Sequence, residues 1–261
     1  MRIALSSLEQ VWENKKENLV ECNKLAKIAS ENKAELIIFP EMTLTGFSLD
    51  TLKISEESNR SISIQNFSTI AADHNIGIVA GVVLESKNVF QNMAIFFAAD
   101  GEVLCRYAKI HPFSFVGEDK YISGGAKLSI FEKNKLSFGL TICYDLRFPL
   151  LSASLADDCD CIINIANWPK KRLYHWYTLL QARAIENQLY VIGVNRTGVD
   201  GNGLEYSESS CAYGPDGEKL NSYLVKKNLN IIDIDKTFVD KCRQDFPVRG
   251  DRRPIIYKIF S

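Results

Sequence analysis

The chain has 261 residues, 46% of them hydrophobic, and a formal net charge of −1, with an isoelectric point near 6.3. That length and apolar content can build a full core, while the near-neutral charge gives no electrostatic basis for binding nucleic acid or an anionic membrane. No apolar stretch approaches the roughly 20 residues that span a bilayer.

The first residues, Met1 to Ser7, read as a strand. They carry no cleavable-signal pattern, so a cytoplasmic setting is expected. Lys15 to Asn32 reads as an amphipathic helix with Leu19, Cys22, Leu25, Ala26 and Ala29 on one face. Asn14 is placed to cap it, and Glu17 to complete a capping box. Leu36 to Phe39 is a continuous apolar run, as in a strand covered on both faces. Pro40 stops it, and Glu41 emerges at the strand's C-terminal end, where α/β sheets bind ligands.

Ser61 to Asn75 reads as a second helix and Ile76 to Val83 as a buried strand. Phe90 to Ala98 and Val103 to Tyr107 form a hairpin about Asp100-Gly101. Lys109 follows it, and Glu118 comes soon after in Gly117-Glu118-Asp119-Lys120-Tyr121, a cluster that by itself reads as a solvated loop. Leu136 to Ile142 is the next buried strand, and Phe148 to Leu155 begins a helix. Strand, helix and strand follow at Cys161–Ala166, Tyr174–Asn187 and Tyr190–Val194, and a last hairpin turns at Pro215-Asp216-Gly217. No linker or repeat interrupts this alternation, so one α/β domain over residues 1–261 is expected.

Cys143 stands between the strand and the helix, in Cys143-Tyr144-Asp145-Leu146-Arg147-Phe148-Pro149. Backbone N–H groups and a helix dipole at such a point favour thiolate over thiol. A thiolate is the form that acts as a nucleophile. Taken singly, Cys143 is a small hydrophobe and Glu41 and Lys109 are surface charges. The seven cysteines are an odd, scattered set, which fits reduced thiols better than a disulfide framework. Cys159-Asp160-Cys161 is too tightly spaced for zinc, and His74, His111 and His175 share no ligand spacing, so neither metal nor cofactor is expected.

Glu41 after an apolar strand, Lys109 in Lys109-Ile110-His111, and Cys143 at a strand-to-helix turn together resemble the nitrilase superfamily of carbon–nitrogen hydrolases. Glu118 is similar to a second active-site glutamate of that family. Further matches are Ala166-Asn167-Trp168-Pro169, Ala182 to Gln188, Asp200-Gly201-Asn202-Gly203, Phe246-Pro247 and Asp251 to Pro254. The Asn-Trp-Pro segment, His175-Trp176 and Asn195-Arg196 narrow the likeness to bacterial omega-amidases that hydrolyse 2-oxoglutaramate.

The resemblance implies a four-layer αββα sandwich and at least a homodimer, to which the Arg249-to-Pro254 tail could contribute. It implies Cys143 as nucleophile, Glu41 as general acid and base, and Lys109 facing the oxyanion with help from the Tyr144 N–H. Glu118 would hold Lys109 charged, or else bind the substrate's amide nitrogen or orient the water. The substrate carboxylate calls for an arginine; Arg172 and Arg196 are the candidates, with Phe47 and Trp168 as apolar walls. Arg147 is expected to be structural, paired to an acid below the Cys turn. The expected reaction is hydrolysis of the terminal carboxamide of a small alpha-keto acid, 2-oxoglutaramate or 2-oxosuccinamate, through a thioester. Hydrolysis of deaminated glutathione, an N-carbamoyl amino acid or a nitrile uses the same core residues, and a non-catalytic binding protein on the same fold is the remote alternative.

Overall fold

The computed structural model describes residues 1–257; residues 258–261 of the expected domain lie outside the described residues. In chain order the first half forms β1 (Arg2–Ser6), α1 (Lys15–Glu31), β2 (Leu36–Ile38), α2 (Thr51–Ile54), β3 (Glu56–Glu57), α3 (Ile62–His74), β4 (Gly77–Ser86), β5 (Val89–Phe97) and β6 (Val103–Ala108). The second half forms β7 (Ile130–Lys133), β8 (Leu136–Ile142), α4 (Pro149–Ala156), β9 (Cys161–Ala166), α5 (Leu173–Asn187), β10 (Tyr190–Asn195), β11 (Gly198–Val199), β12 (Glu205–Tyr206), β13 (Cys211–Tyr213), β14 (Tyr223–Lys226), β15 (Leu229–Asp233), α6 (Lys236–Asp245) and α7 (Pro254–Tyr257).

Two sheets result. One runs β14-β15-β1-β2-β4-β5-β6, with β3 beside β4, and the other runs β13-β10-β9-β8-β7. Strand alternation explains their layering, because successive side chains point to opposite faces. Ile3, Leu5, Leu36 and Ile38 of the first sheet meet Leu140, Ile142, Ile163 and Ile165 of the second in one core between the sheets. Their neighbours Ala4, Ile37, Ile78 and Ile95 face outward onto Cys22, Leu25, Phe67 and Ile70 of α1 and α3. On the far side Ile162 and Val191 pack against Leu155, Trp176, Leu180 and Ala184 of α4 and α5. The layers are therefore helix, sheet, sheet, helix: the four-layer αββα sandwich.

Parallel pairing brings the functional segments to one edge. β2 is parallel to β1 and β4, and β6 returns to the same direction through the antiparallel β5. Glu41 and Lys109 thus leave the first sheet on the same side. β8, β9 and β10 are parallel and deliver Cys143, Asn167 and Arg196 from the second. Gly81 lets the Glu41 segment lie tight on β4. Its N–H donates to Thr43 Oγ1 at 2.8 Å and its carbonyl accepts from the Thr43 N–H at 2.8 Å. A Cβ at this glycine would overlap the Met42 backbone nitrogen.

Several local expectations are corrected. Asn14 Oδ1 accepts from the Glu17 N–H at 3.2 Å, but Glu17 Oε2 answers the Asn14 side-chain amide at 3.1 Å rather than its backbone. The capping box is half formed. Asn18 is buried beside the apolar face of α1 and donates to the carbonyls of Val11 and Leu44. The turn at Pro215-Asp216-Gly217 closes with Gly217 N–H on Gly214 O at 2.9 Å. Its return is a single bridge, Tyr213 to Lys219, after which the chain crosses to the first sheet and makes its hairpin there, between β14 and β15. Separately from these corrections, Arg249 and Arg252 of the tail reach Asp157 at 3.1 and 3.2 Å, and Arg252 also donates to Asn187 at 2.7 Å.

Glu56 ties α1 to the start of α3. It accepts from Lys15 Nζ at 2.8 Å, from both Ser61 and Ser63 hydroxyls at 2.6 Å, and from the Ser63 N–H at 2.8 Å. Burial pushes its carboxyl up, but these hydrogen bonds outweigh it and hold the pKa down at about 2. A carboxylate depressed on folding stabilises above its unfolded pKa, about 4.3, and that stability is lost as pH falls through the folded value. Glu56→Gln should therefore cost about 1–2 kcal/mol near neutral pH, at the low end because the group is partly solvated. The gap from the parent protein should close between about pH 4 and pH 2 in urea titrations; a gap independent of pH would refute this account.

Candidate active site

Lys109 is the centre of the site. Its ammonium is 0% exposed and lies 3.0 Å from Glu41 Oε1 and 2.8 Å from Glu118 Oε2, both carboxylates being 0% exposed. It also donates to Glu118 Oε1 at 3.1 Å. Three buried charges can coexist only if each is fully hydrogen-bonded, and the surrounding donors satisfy this. Asn92, on β5, donates from Nδ2 to Glu41 Oε1 at 2.8 Å and to Glu118 Oε1 at 3.2 Å. The Asn167 N–H donates to Glu41 Oε2 at 2.9 Å, and the Phe113 N–H to Glu118 Oε2 at 2.6 Å. The Glu41 backbone is held as well, its carbonyl accepting from Asn167 Nδ2 at 2.7 Å and Gln10 Nε2 at 3.0 Å. Burial lowers the Lys109 pKa, but Glu41, Glu118 and Cys143 outweigh it, and the net direction is up. Glu118, expected by itself to be a solvated loop residue, is instead fully buried.

Cys143 begins a 3₁₀ turn, Cys143–Arg147, immediately after β8. Its φ of +46° lies in the left-handed region, a strained conformation for a residue with a Cβ and one that recurs at functional turns. Asp145 fixes this turn. Its carboxylate accepts from the Ile142 N–H at 3.0 Å, Tyr107 Oη at 2.7 Å and the His111 N–H at 2.9 Å, with His111 Nδ1 at 2.8 Å.

The expectation of a resting thiolate is corrected by the electrostatics. Burial and Glu41 push the Cys143 thiol well above its ordinary value, Glu118 adds to this, and Lys109 does not compensate. The regular helix whose dipole was invoked starts only at Pro149. Burial of the sulfur dominates instead, with the Glu41 carboxylate second. Cys143 Sγ lies 3.9 Å from the Asn167 carbonyl.

A cleft of about 60 Å³ opens over the sulfur. Phe47, Lys109, Cys143, Tyr144, Trp168 and Arg172 all line it. Glu41 and Glu118 stand behind Lys109 and are not part of its wall. Lys109 Nζ also sits 5.4 Å over the Phe47 ring. Trp168 is fixed by its N–H on Asn195 Oδ1 at 2.7 Å and its indole N–H on the Arg172 carbonyl at 2.8 Å.

The arginines exchange roles relative to the sequence reading. Arg196 is 0% exposed and turned away from the cleft. It donates to the carbonyls of Thr197, Gln10 and Val199 and lies 4.7 Å under the Tyr206 ring, so it braces the loop that carries Tyr206 and is withdrawn as a carboxylate ligand. Arg147 does line the cleft, 4.7 Å over Trp168 with Nη2 3.3 Å from His175 Nδ1, and among the described residues it has no acid partner. Its expected structural place is taken by Arg183, which donates twice to the Leu146 carbonyl and pairs with Glu186 at 3.1 Å. Arg172 lies 5.6 Å over Phe113, likewise without an acid partner among the described residues. Asn92 and the Tyr107–Asp145–His111 brace escaped the sequence reading. For Asn92 the available signal is an amide, next to Gln91, inside the strand that becomes β5.

The carbon–nitrogen hydrolase family profile matches residues 2–244. The chain is 34% identical over 253 residues to the omega-amidase YafV of Escherichia coli (strain B / BL21-DE3), covering 96% of each. It is 32% identical over 234 residues to the 2-oxoglutaramate amidase of Bacillus subtilis (strain 168), covering 88% of this chain and 90% of that one. A crystallised CN-hydrolase superfamily protein from Xanthomonas campestris superposes with a TM-score of 0.90 over 97% of both chains at 29% identity. The chain belongs to the carbon–nitrogen hydrolase family and is an enzyme of the amidase class.

Five cysteines are buried, and only Cys143 and Cys242 are partly exposed. Brief iodoacetamide treatment should therefore label those two alone. Because the Cys143 thiol is raised, its labelling rate should climb from about pH 6 to about pH 9 as thiolate forms. Peptide mass spectrometry over a pH series checks this; a rate flat across that range would mean a resting thiolate.

Proposed function

We propose that the protein hydrolyses the terminal carboxamide of a small alpha-keto acid, 2-oxoglutaramate or 2-oxosuccinamate, through a Cys143 thioester. One observation carries the reading: Lys109, paired with the buried Glu41, and the strained Cys143 turn share one small cleft, whose wall also holds two arginines that have no acid partner among the described residues. The relatives named omega-amidase and 2-oxoglutaramate amidase support the substrate class.

The steps follow from the charges. Glu41 takes the thiol proton as sulfur attacks the amide carbon. The carbonyl oxygen gains the negative charge and faces Lys109 and the Tyr144 N–H; one such donor is worth about 3–4 kcal/mol of barrier. Glu41 returns the proton to the nitrogen, the C–N bond breaks, ammonia leaves, and the thioester remains. Water then gives a proton to Glu41 and attacks the thioester; the acid departs and sulfur regains its proton. A raised thiol suits this sequence, because the proton stays in place until the base removes it. Glu118 already receives Lys109, Asn92 and the Phe113 N–H, so its part is to hold Lys109. The substrate carboxylate is bound by Arg172, assisted by Arg147, each guanidinium lying over an aromatic ring with N–H groups available for a bidentate contact. Phe47 and Trp168 form the apolar walls. One domain spanning the chain and a homodimeric assembly complete the proposal.

Ammonia release should be fastest, as kcat/KM, from 2-oxoglutaramate in a panel with deaminated glutathione, an N-carbamoyl amino acid and a nitrile. A clear preference for another member would transfer the assignment to it. Glu41→Gln should abolish turnover with the circular dichroism spectrum unchanged, since the amide keeps the shape but moves no proton; a near-parental rate would remove Glu41 as the acid–base group.

Arg172→Met should raise KM for 2-oxoglutaramate about 30- to 100-fold with kcat little changed. A carboxylate far from the scissile bond is held equally in ground and transition states, and such a contact is worth about 2–3 kcal/mol. Arg196→Met, away from the cleft, should leave KM near the parental value. An unchanged KM in both Arg172→Met and Arg147→Met would place the carboxylate elsewhere.

A further inference from the structure

We infer that Asn92 is a positioning residue that sets the Glu41 carboxylate for proton transfer by clamping it to Glu118. The inference rests on the reading of Glu41 as the acid–base group and extends it to a residue outside the cleft wall.

Asn92 lies on β5 and is 0% exposed. Its single amide nitrogen bridges two acids, 2.8 Å from Glu41 Oε1 and 3.2 Å from Glu118 Oε1. An amide NH₂ has two hydrogens, one for each carboxylate. The amide oxygen, buried, has no partner among the described residues. That asymmetry fixes the orientation: turning the amide over would set an acceptor against two carboxylates. The same residue reaches Lys109 through the main chain, its carbonyl accepting the Lys109 N–H at 2.8 Å. Asn92 therefore registers all three charged groups of the site from one point on a strand paired on both sides, between β4 and β6.

The chemistry needs this clamp. Like-charged carboxylates near one another drive one to bind a proton, and a protonated Glu41 cannot accept the thiol proton. Lys109 supplies the compensating charge from one side and Asn92 a neutral double donor from another. The other ionisable groups around Glu41 are Cys143, with Arg147, Arg172 and Tyr206 farther along the cleft.

The test uses the full-length enzyme and the best substrate of the panel. Asn92→Ala should lower kcat about 100-fold with KM changed less than about 3-fold, as for an interaction needed at the proton-transfer step. The acid limb of kcat/KM should move to higher pH, since a carboxylate that loses a donor binds its proton more tightly. Asn92→Asp keeps the shape and guards against a folding failure in the alanine variant. Its new carboxyl donates only when protonated, so its activity relative to the parent should recover as pH falls. A variant with parental kcat and pH profile, whatever its melting temperature, would reduce Asn92 to a packing residue. Equal activity loss at every pH in Asn92→Asp would do the same. Glu41→Gln, run alongside, separates the two claims: if it stays active the acid–base reading fails, and if it is dead while Asn92→Ala is parental only the present inference fails.

Discussion

The site depends on one buried ammonium. Glu41 and Glu118 would repel each other inside a protein interior, and Lys109, 3.0 and 2.8 Å from them, makes their coexistence possible. Even so, two carboxylates and one ammonium leave a net charge of −1 in a place water does not reach. Neutral donors carry the remainder, from Asn92, Asn167 and the Phe113 backbone. Removing one partner of such a buried set is far more damaging than removing a surface pair. The parallel strands, the close approach at Gly81 and the Asp145 brace can all be understood as ways of bringing these groups to one point and keeping them there.

Charge is also sorted along the cleft. The carboxylates of Glu41 and Glu118 lie deep, behind the Lys109 ammonium that lines the cleft. The guanidiniums of Arg147 and Arg172 lie on aromatic rings of the wall itself. A small molecule with a carboxylate at one end and an uncharged amide at the other matches this arrangement. A molecule with a charged group at both ends does not, because its second charge would have to enter the buried cluster. Selectivity in this reading comes from what the deep end excludes as much as from what the arginines attract.

Much of the fold was legible because its strands are covered on both faces. Leu136–Ile142 and Cys161–Ala166 are predominantly apolar and almost wholly buried, and the structure begins and ends them at those residues. The edge that gathers Glu41, Lys109 and Cys143 follows from parallel strands, and their sequence contexts marked them. Long-range partners were not legible. Arg147 and Arg196 are both cations after a strand, and only tertiary packing decides that one lies on Trp168 and the other beneath Tyr206. Asn92 is one of two neighbouring amides within a strand, with Gln91, and Asp145 a lone acid within a turn. Their partners Glu41, Glu118, Tyr107 and His111 come from other elements, so no local pattern announces them. The direction of the Cys143 shift was misjudged for a related reason: local backbone geometry argued for thiolate, while the burial and the Glu41 carboxylate that raise the thiol come from distant segments.

The protonated resting state of Cys143 bears on the enzyme's chemical durability. Peroxide and disulfide reagents attack thiolates far faster than thiols. A cysteine held permanently as thiolate would be exposed to oxidation throughout the interval between substrates. Here the sulfur is half-shielded, burial and the field of Glu41 raise its thiol, and in the proposed reaction the anion arises only as the amide is attacked. The surroundings that hold back the thiolate thereby limit its exposure to oxidants, so the burial and charge that postpone activation also lengthen the working life of the thiol.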